Sequence, residues 1–276
     1  MEYYIELASQ NGNSYIVNTL LKSGADIKAK QAALIRATYN NRIEIVQLLI
    51  EYKTDVNVKD TNSNTPLHIA TQRNHHELMD ILMQNGADIE ATDRKGFTPI
   101  HLALGFKKYQ ALEVLIKYCA NVNARSPEGS TPLHTAVSQG FEDGVQLLLN
   151  NGVEVDVNDN YGHTPLHYAI MGKISKKKQD PQDTFIKIAE ILLENEANIE
   201  AKINGLTPLT CAALQNEKAI LKLLLAYGAK TEIKANDRFT ALHFAVSRNY
   251  LKVVKILIKG GANIRARNAH DQTPLF

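Results

Sequence analysis

The chain has only two cysteines and no tryptophan in 276 residues. Cys119 and Cys211 have no Cys-x-x-Cys pair and no histidine cluster at metal-ligand spacing beside them, which excludes a disulfide scaffold and a structural zinc. Fifteen glycines and eight prolines are few for this length, so long flexible linkers are not expected. Neither sign of charge dominates. With 31 basic and 29 acidic residues the formal charge is +2, so any attraction to nucleic acid or an anionic membrane has to be local. No run approaches about eighteen consecutive apolar residues, and the first thirty hold no uninterrupted apolar core of the signal-peptide kind. None of the 24 asparagines lies in an Asn-x-Ser/Thr sequon. Expression in a reducing cytosol is the expectation, with a nuclear site or delivery into a host cytosol compatible with it. What is present is ordinary for a folded chain: 44% hydrophobic and 22% charged residues exclude disorder.

The dominant pattern is a repeat. Thr65-Pro66-Leu67-His68 returns as Thr98-Pro99-Ile100-His101, Thr131-Pro132-Leu133-His134 and Thr164-Pro165-Leu166-His167. Altered copies follow at Thr207-Pro208-Leu209-Thr210, Thr240-Ala241-Leu242-His243 and Thr273-Pro274-Leu275-Phe276, giving threonine-to-threonine steps of 33, 33, 33, 43, 33 and 33. Each box predicts a helix start. The threonine hydroxyl can cap, proline suits a first position whose N–H has no partner anyway, and the histidine can reach back to the cap. In the first clear unit a helix over 66–73 precedes a second over 77–84, which sets Leu78, Ile81 and Leu82 on one face. Gly86 supplies a left-handed stop, and a turn or hairpin finger leads to the next box. Two degenerate units come earlier, with Ala32-Ala33-Leu34-Ile35 and Tyr3-Tyr4-Ile5-Glu6 in place of the box and a first finger shortened by four residues.

With this period, the Thr-Pro-Leu-His box and closings such as Gly86-Ala87-Asp88-Ile89, the whole sequence resembles the ankyrin-repeat family. The resemblance implies an all-α solenoid of stacked helix-turn-helix units with short β-hairpin or loop fingers. It is expected as a single array over 1–276, about eight helix pairs and the start of a ninth. Phe276 falls inside a box whose helix does not follow, so a fragment of a longer protein is expected. Residues 173–183, which hold Lys173, Lys176, Lys177 and Lys178, are an insert predicted as an exposed loop between the helices of one unit. Lys53, Cys119 and Glu196 stand where a stop glycine is expected, at about 1 kcal/mol each. Cys119 and Cys211 read as small packing residues.

Nothing in the sequence has the form of a catalytic site. His68, His101, His134, His167 and His243 are box residues expected to bond between repeats. There is no phosphate loop, nucleophile elbow or distinctive carboxylate pair. No enzyme activity, catalytic residue, metal or cofactor is expected.

In the family, partners usually bind the concave surface made by finger tips and the exposed ends of first helices. Carried over position by position, that strip holds Lys59, Arg73, Arg94, Lys95, Arg125, Lys202, Lys234, Arg248 and Arg267 against the acids Glu128 and Asp237. It is therefore basic, which leaves an acidic remainder elsewhere. Phe97, Phe106, Tyr161, His163, Leu206 and Phe239 are interspersed, and arginine beside aromatic groups is the composition of interface hot spots. The expected partner is a protein, acidic at the contact, bound by a monomer with no small-molecule substrate and no membrane. Nucleic-acid binding by the same strip is the alternative of a different class. A third is a targeting role for an enzymatic or degradation-adaptor domain beyond residue 276. The excess of lysine over arginine, with abundant asparagine and isoleucine, suits an AT-rich genome and so a host-directed effector.

Overall fold

The structure, a computed structural model, describes residues 1–172 and 182–274; most of the lysine-bearing insert, residues 173–181, lies outside the described residues. The described residues form sixteen α-helices and no strand. Contacts divide the chain into two compact units, Met1–Pro127 and Glu128–Phe276.

The first unit holds α1 (Glu2–Asn11), α2 (Ser14–Lys22), α3 (Ile27–Tyr39), α4 (Ile43–Glu51), α5 (Pro66–Arg73), α6 (His76–Gln84), α7 (Pro99–Gly105) and α8 (Tyr109–Lys117). First helices stack on first helices, α1 on α3, α3 on α5 and α5 on α7, while α2 packs on α4 and α6 on α8. The second unit repeats the plan with α9 (Pro132–Ser138), α10 (Glu142–Asn150), α11 (Pro165–Met171), α12 (Gln182–Glu194), α13 (Pro208–Leu214), α14 (Lys218–Ala226), α15 (Ala241–Ser247) and α16 (Leu251–Lys259). Short helices of this kind are marginal alone, so their stability comes from the apolar stripe that each neighbour buries. Leu67, Leu78, Met79 and Leu82 in one unit, and Leu166, Ile188 and Leu192 in the other, are fully or almost fully buried.

The box works as its residues predict. The Thr65 hydroxyl accepts from His68 N–H, and the Thr65 N–H donates to His68 Nδ1 at 3.2 Å, a closed capping box with Pro66 at the first position. The same reciprocal pair closes at Thr131–His134, Thr164–His167 and Thr240–His243. The ring can then tie its unit to the next finger: His68 Nε2 reaches the Phe97 carbonyl at 3.2 Å and His134 Nε2 reaches the His163 carbonyl at 3.0 Å.

The fingers are loops rather than hairpins of two strands, apart from one isolated bridge at Ile203 and Leu206. In three of them the organiser is an aspartate five residues before the box threonine, and in the last Asn268 takes the same place. Asp60 Oδ1 accepts from the N–H groups of Asn62 and Asn64, Asp93 from Lys95 and Phe97, and Asp159 from Tyr161 and His163. Successive tips are joined through the backbone, as where Arg94 N–H donates to the Asn62 carbonyl at 2.9 Å. Gly96 is required twice over. Its φ is 79°, and a β-carbon there would run into the Pro127 ring.

Two expectations need correcting. The first finger is replaced by helix rather than shortened: Asp26 accepts from Ala29 N–H at 2.8 Å, and α3 starts at Ile27, five residues before the degenerate box. The stretch Ile27-Lys28-Ala29-Lys30-Gln31 holds no turn former, so a good cap beside it extends the helix. Cys119 is exposed, because a residue at the stop position points away from the stack, whereas Cys211 is buried in α13 as expected. Burial pushes the Cys211 thiol up to about 11, so it stays neutral.

Lys53, Cys119 and Glu196 do adopt the left-handed conformation, with φ of 58°, 60° and 64°. The equivalent Gly86 has open space around its α-carbon, so the constraint is on the backbone alone. Lys53→Gly and Glu196→Gly are each expected to add about 0.5 to 1 kcal/mol, the strain relieved less the extra freedom of glycine in the unfolded chain. Urea midpoints check this, with Lys53→Ala as the control that gains nothing.

Candidate functional site

In the first unit the fingers and first helices enclose a groove with a cavity volume of about 1080 Å³. It is lined by the finger Lys59-Asp60-Thr61-Asn62, by Ile35, Tyr39, Ile69 and Arg73 from the first helices, and by Phe106. The groove's acids are committed. Glu2 lies 3.8 Å from Lys28, Glu6 accepts from Arg36 at 3.1 Å, and Asp60 holds its own finger together. Among the described residues Lys59 and Arg73 have no such acidic partner. Arg73 instead lies over the Tyr39 ring, 3.4 Å from its centroid, a cation–π stack that fixes the guanidinium without neutralising it.

The structure brings three of the sequence-derived residues, Lys59, Arg73 and Phe106, into this groove. Arg94, Lys95 and Arg125 are exposed on later fingers of the same unit. Phe97 is half-buried with its ring 5.7 Å from that of His101, so it packs on the box.

In the second unit Tyr161, 66% exposed, is the one large ring of the set that stands clear. Phe239 packs 5.3 Å from both His243 and Phe244, and Leu206 is half-buried. His163 is part of the scaffold, since its N–H is held by Asp159 and its carbonyl receives His134, while its Nδ1 lies 3.4 Å from Asp159 Oδ2. Lys202 and Arg248 are exposed; Lys234 donates to the Arg267 carbonyl at 3.1 Å, and Arg267 is paired with Asp271.

Tyr39, Ile35, Lys28 and Arg36 belong to the groove although the sequence did not assign them. The signal was positional: Tyr39 ends α3, 33 residues before Gln72 near the end of α5, inside a unit whose degenerate box hid the alignment. No group of three or more His, Cys, Asp or Glu residues able to hold a metal ion exists among the described residues.

A family model described as ankyrin repeats (3 copies) matches residues 5–93, 34–126, 100–178 and 181–268. The chain belongs to the ankyrin-repeat family. Its ankyrin repeats are similar to mouse B-cell lymphoma 3 protein homolog, 35% identical over 88 residues, which cover 31% of this chain and 20% of that protein. Human ankyrin repeat and SOCS box protein 3 is 30% identical over 95 residues, 33% of this chain and 18% of that one. The matched stretch thus spans a fifth or less of these relatives' length. Among solved structures, the human ASB11 ankyrin repeat domain superposes with a TM-score of 0.66 at 25% identity, covering 82% of this chain and 96% of that domain. Ankyrin repeats are protein–protein interaction modules and in general non-enzymatic scaffolds, which is the role a row of fingers on a stapled stack can perform.

Proposed function

We propose that this chain is a non-enzymatic binding module that takes an acidic protein segment in the groove of its first unit, with apolar anchors against Ile35, Tyr39 and Phe106. The observation that carries the reading is the electrostatic imbalance inside that groove. Every acid there is spent on an ion pair or a turn, whereas Lys59 and the stacked Arg73 remain for a ligand. A pre-placed guanidinium loses little freedom on capturing a carboxylate in two-point fashion, and Phe106, 53% exposed, offers the apolar surface beside it.

Peptides selected on the chain from a random displayed library are expected to be enriched in Asp and Glu next to an aliphatic or aromatic residue. The double variant Lys59→Glu, Arg73→Glu is expected to weaken the best of them at least tenfold, about 1.4 kcal/mol or more, and to flatten the dependence on salt. Selected peptides without acidic residues, or binding unchanged by the double reversal, would refute the groove as an acid-reading site.

A second reading is favoured by the relatives' length, since one of them carries a SOCS box by name. In it the repeats recruit a target to a further domain of a longer protein. The two readings share the groove and differ in the fate of the captured protein, which sequencing the gene downstream of residue 276 decides.

A further inference from the structure

The charge left over from the fingers is not spread evenly on the outer helices of the second unit. On α10 and α12 the acids Glu142, Asp143, Glu190 and Glu194 dominate, and Lys187 is spent on Glu142. The next two second helices reverse the sign. Together α14 and α16 carry Lys218, Lys222, Lys252, Lys255 and Lys259 with no acidic residue in either helix. All five are exposed, and among the described residues none has an acidic partner. The two helices pack side by side. Lys222 and Lys255 are 33 residues apart and occupy the same outward position, on axes about 10 Å from one another. Leu251, 68% exposed, shares the face one turn before Lys255, and Tyr227 stands at the end of α14 where Glu190 and Glu194 border the patch.

We infer that this lysine face docks on an anionic phospholipid surface. Lysine supplies compact point charges without the planar fork that arginine uses on a single carboxylate or phosphate, so a face of lysine alone suits a diffuse, fluid layer of negative headgroups. Its long stems let the ammonium groups reach the headgroups while Leu251 enters the interface and Tyr227 flanks it. No helix among the described residues is long and apolar enough to cross a membrane, so the attachment is peripheral. The near-zero total charge of the chain concealed this face, because the acids of α10 and α12 cancel it in the sum. The inference concerns a surface separate from the groove and does not rest on the reading of that groove.

The test is co-sedimentation of the whole chain with vesicles of phosphatidylcholine containing about a quarter phosphatidylserine, against vesicles of phosphatidylcholine alone. The expected result is binding to the anionic vesicles only, falling steeply as salt rises from about 0.1 M to about 0.5 M. Changing the five lysines to glutamine is expected to weaken it at least tenfold without altering the thermal melt, and Leu251→Ser by a few-fold. Lys59→Glu with Arg73→Glu is expected to leave it unchanged. Absent binding, equal binding to neutral vesicles, or indifference to the five substitutions would overturn the inference. Tighter capture of a short DNA duplex than of the vesicles by the same lysines would overturn it in favour of nucleic acid.

Discussion

Replacing His134 with alanine is expected to cost the second unit about 3 kcal/mol, far more than its size as a short polar side chain would imply. The ring is fully buried and uses both nitrogens. The Thr131 N–H can only donate, so Nδ1, 3.1 Å away, must be the acceptor. The ring proton is therefore on Nε2, where it is given to the His163 carbonyl at 3.0 Å. Alanine strands an N–H at the start of α9 and a carbonyl in the next finger, and leaves a cavity edged by Tyr168, whose ring centroid is 5.4 Å from that of His134. Hydrogen exchange is expected to speed up first in α9 and the finger at 159–163, because a stack of repeats loses stability locally before it unfolds as a whole. His134→Thr is the informative companion. Where histidine is missing, the Thr207 hydroxyl accepts from Thr210 N–H and lies 3.0 Å from the Thr210 hydroxyl, so threonine is expected to give the cap a hydroxyl partner but not to restore the finger bond, and to lose about half as much. A loss below about 1 kcal/mol for His134→Ala would mean that the boxes do not staple the repeats.

The boxes were legible because each of their residues has a single local role. Threonine, proline and histidine at fixed offsets state where a helix starts, and the helix over 66–73 begins where those residues say. The finger aspartates recur at only three of the equivalent positions, 60, 93 and 159, and their role, accepting two backbone N–H groups, looks in a sequence like ordinary surface charge. At Asp26 a cap without a box carried no family signal, and the helix that begins there was missed. For the candidate site, position along the repeat located Lys59, Arg73 and Phe106. It could not say that Phe97 and Phe239 turn inward onto box histidines, because the same finger offset faces a ligand or a neighbour depending on side-chain packing. Nor could total charge expose the lysine face of α14 and α16, since a sum holds no geometry.

Stability is expected to fall as the pH drops from about 6.5 towards 4, before most carboxylates titrate. His167 is fully buried, and burial, then the nearby His163, pull its pKa down to about 4. Burial lowers His68 in the same direction. In both, the protonated ring would set an N–H against the threonine N–H that donates to Nδ1, at 3.2 Å in each box. Because the folded pKa lies below the unfolded value of 6.5, the unfolded chain binds more protons throughout this window, and the stability present above pH 6.5 is lost on acidification. A depression to about 4 makes the whole effect of His167 about 3 kcal/mol, with about 2 kcal/mol gone by pH 5. Glu90, raised by burial, works the other way near the foot of the window but lies on the exposed rim and offsets little. His167 is the strongest case for a reason visible in its unit. The next finger closes through the two-residue turn Asn204-Gly205, both with positive φ, and the His167 Nε2 is buried without a hydrogen-bond partner. Urea midpoints at pH 7.5 and 5.0 give the measurement. His167→Thr, which copies the neighbouring box, is expected to halve the difference or better, and an undiminished pH slope in that variant would remove His167 as its cause.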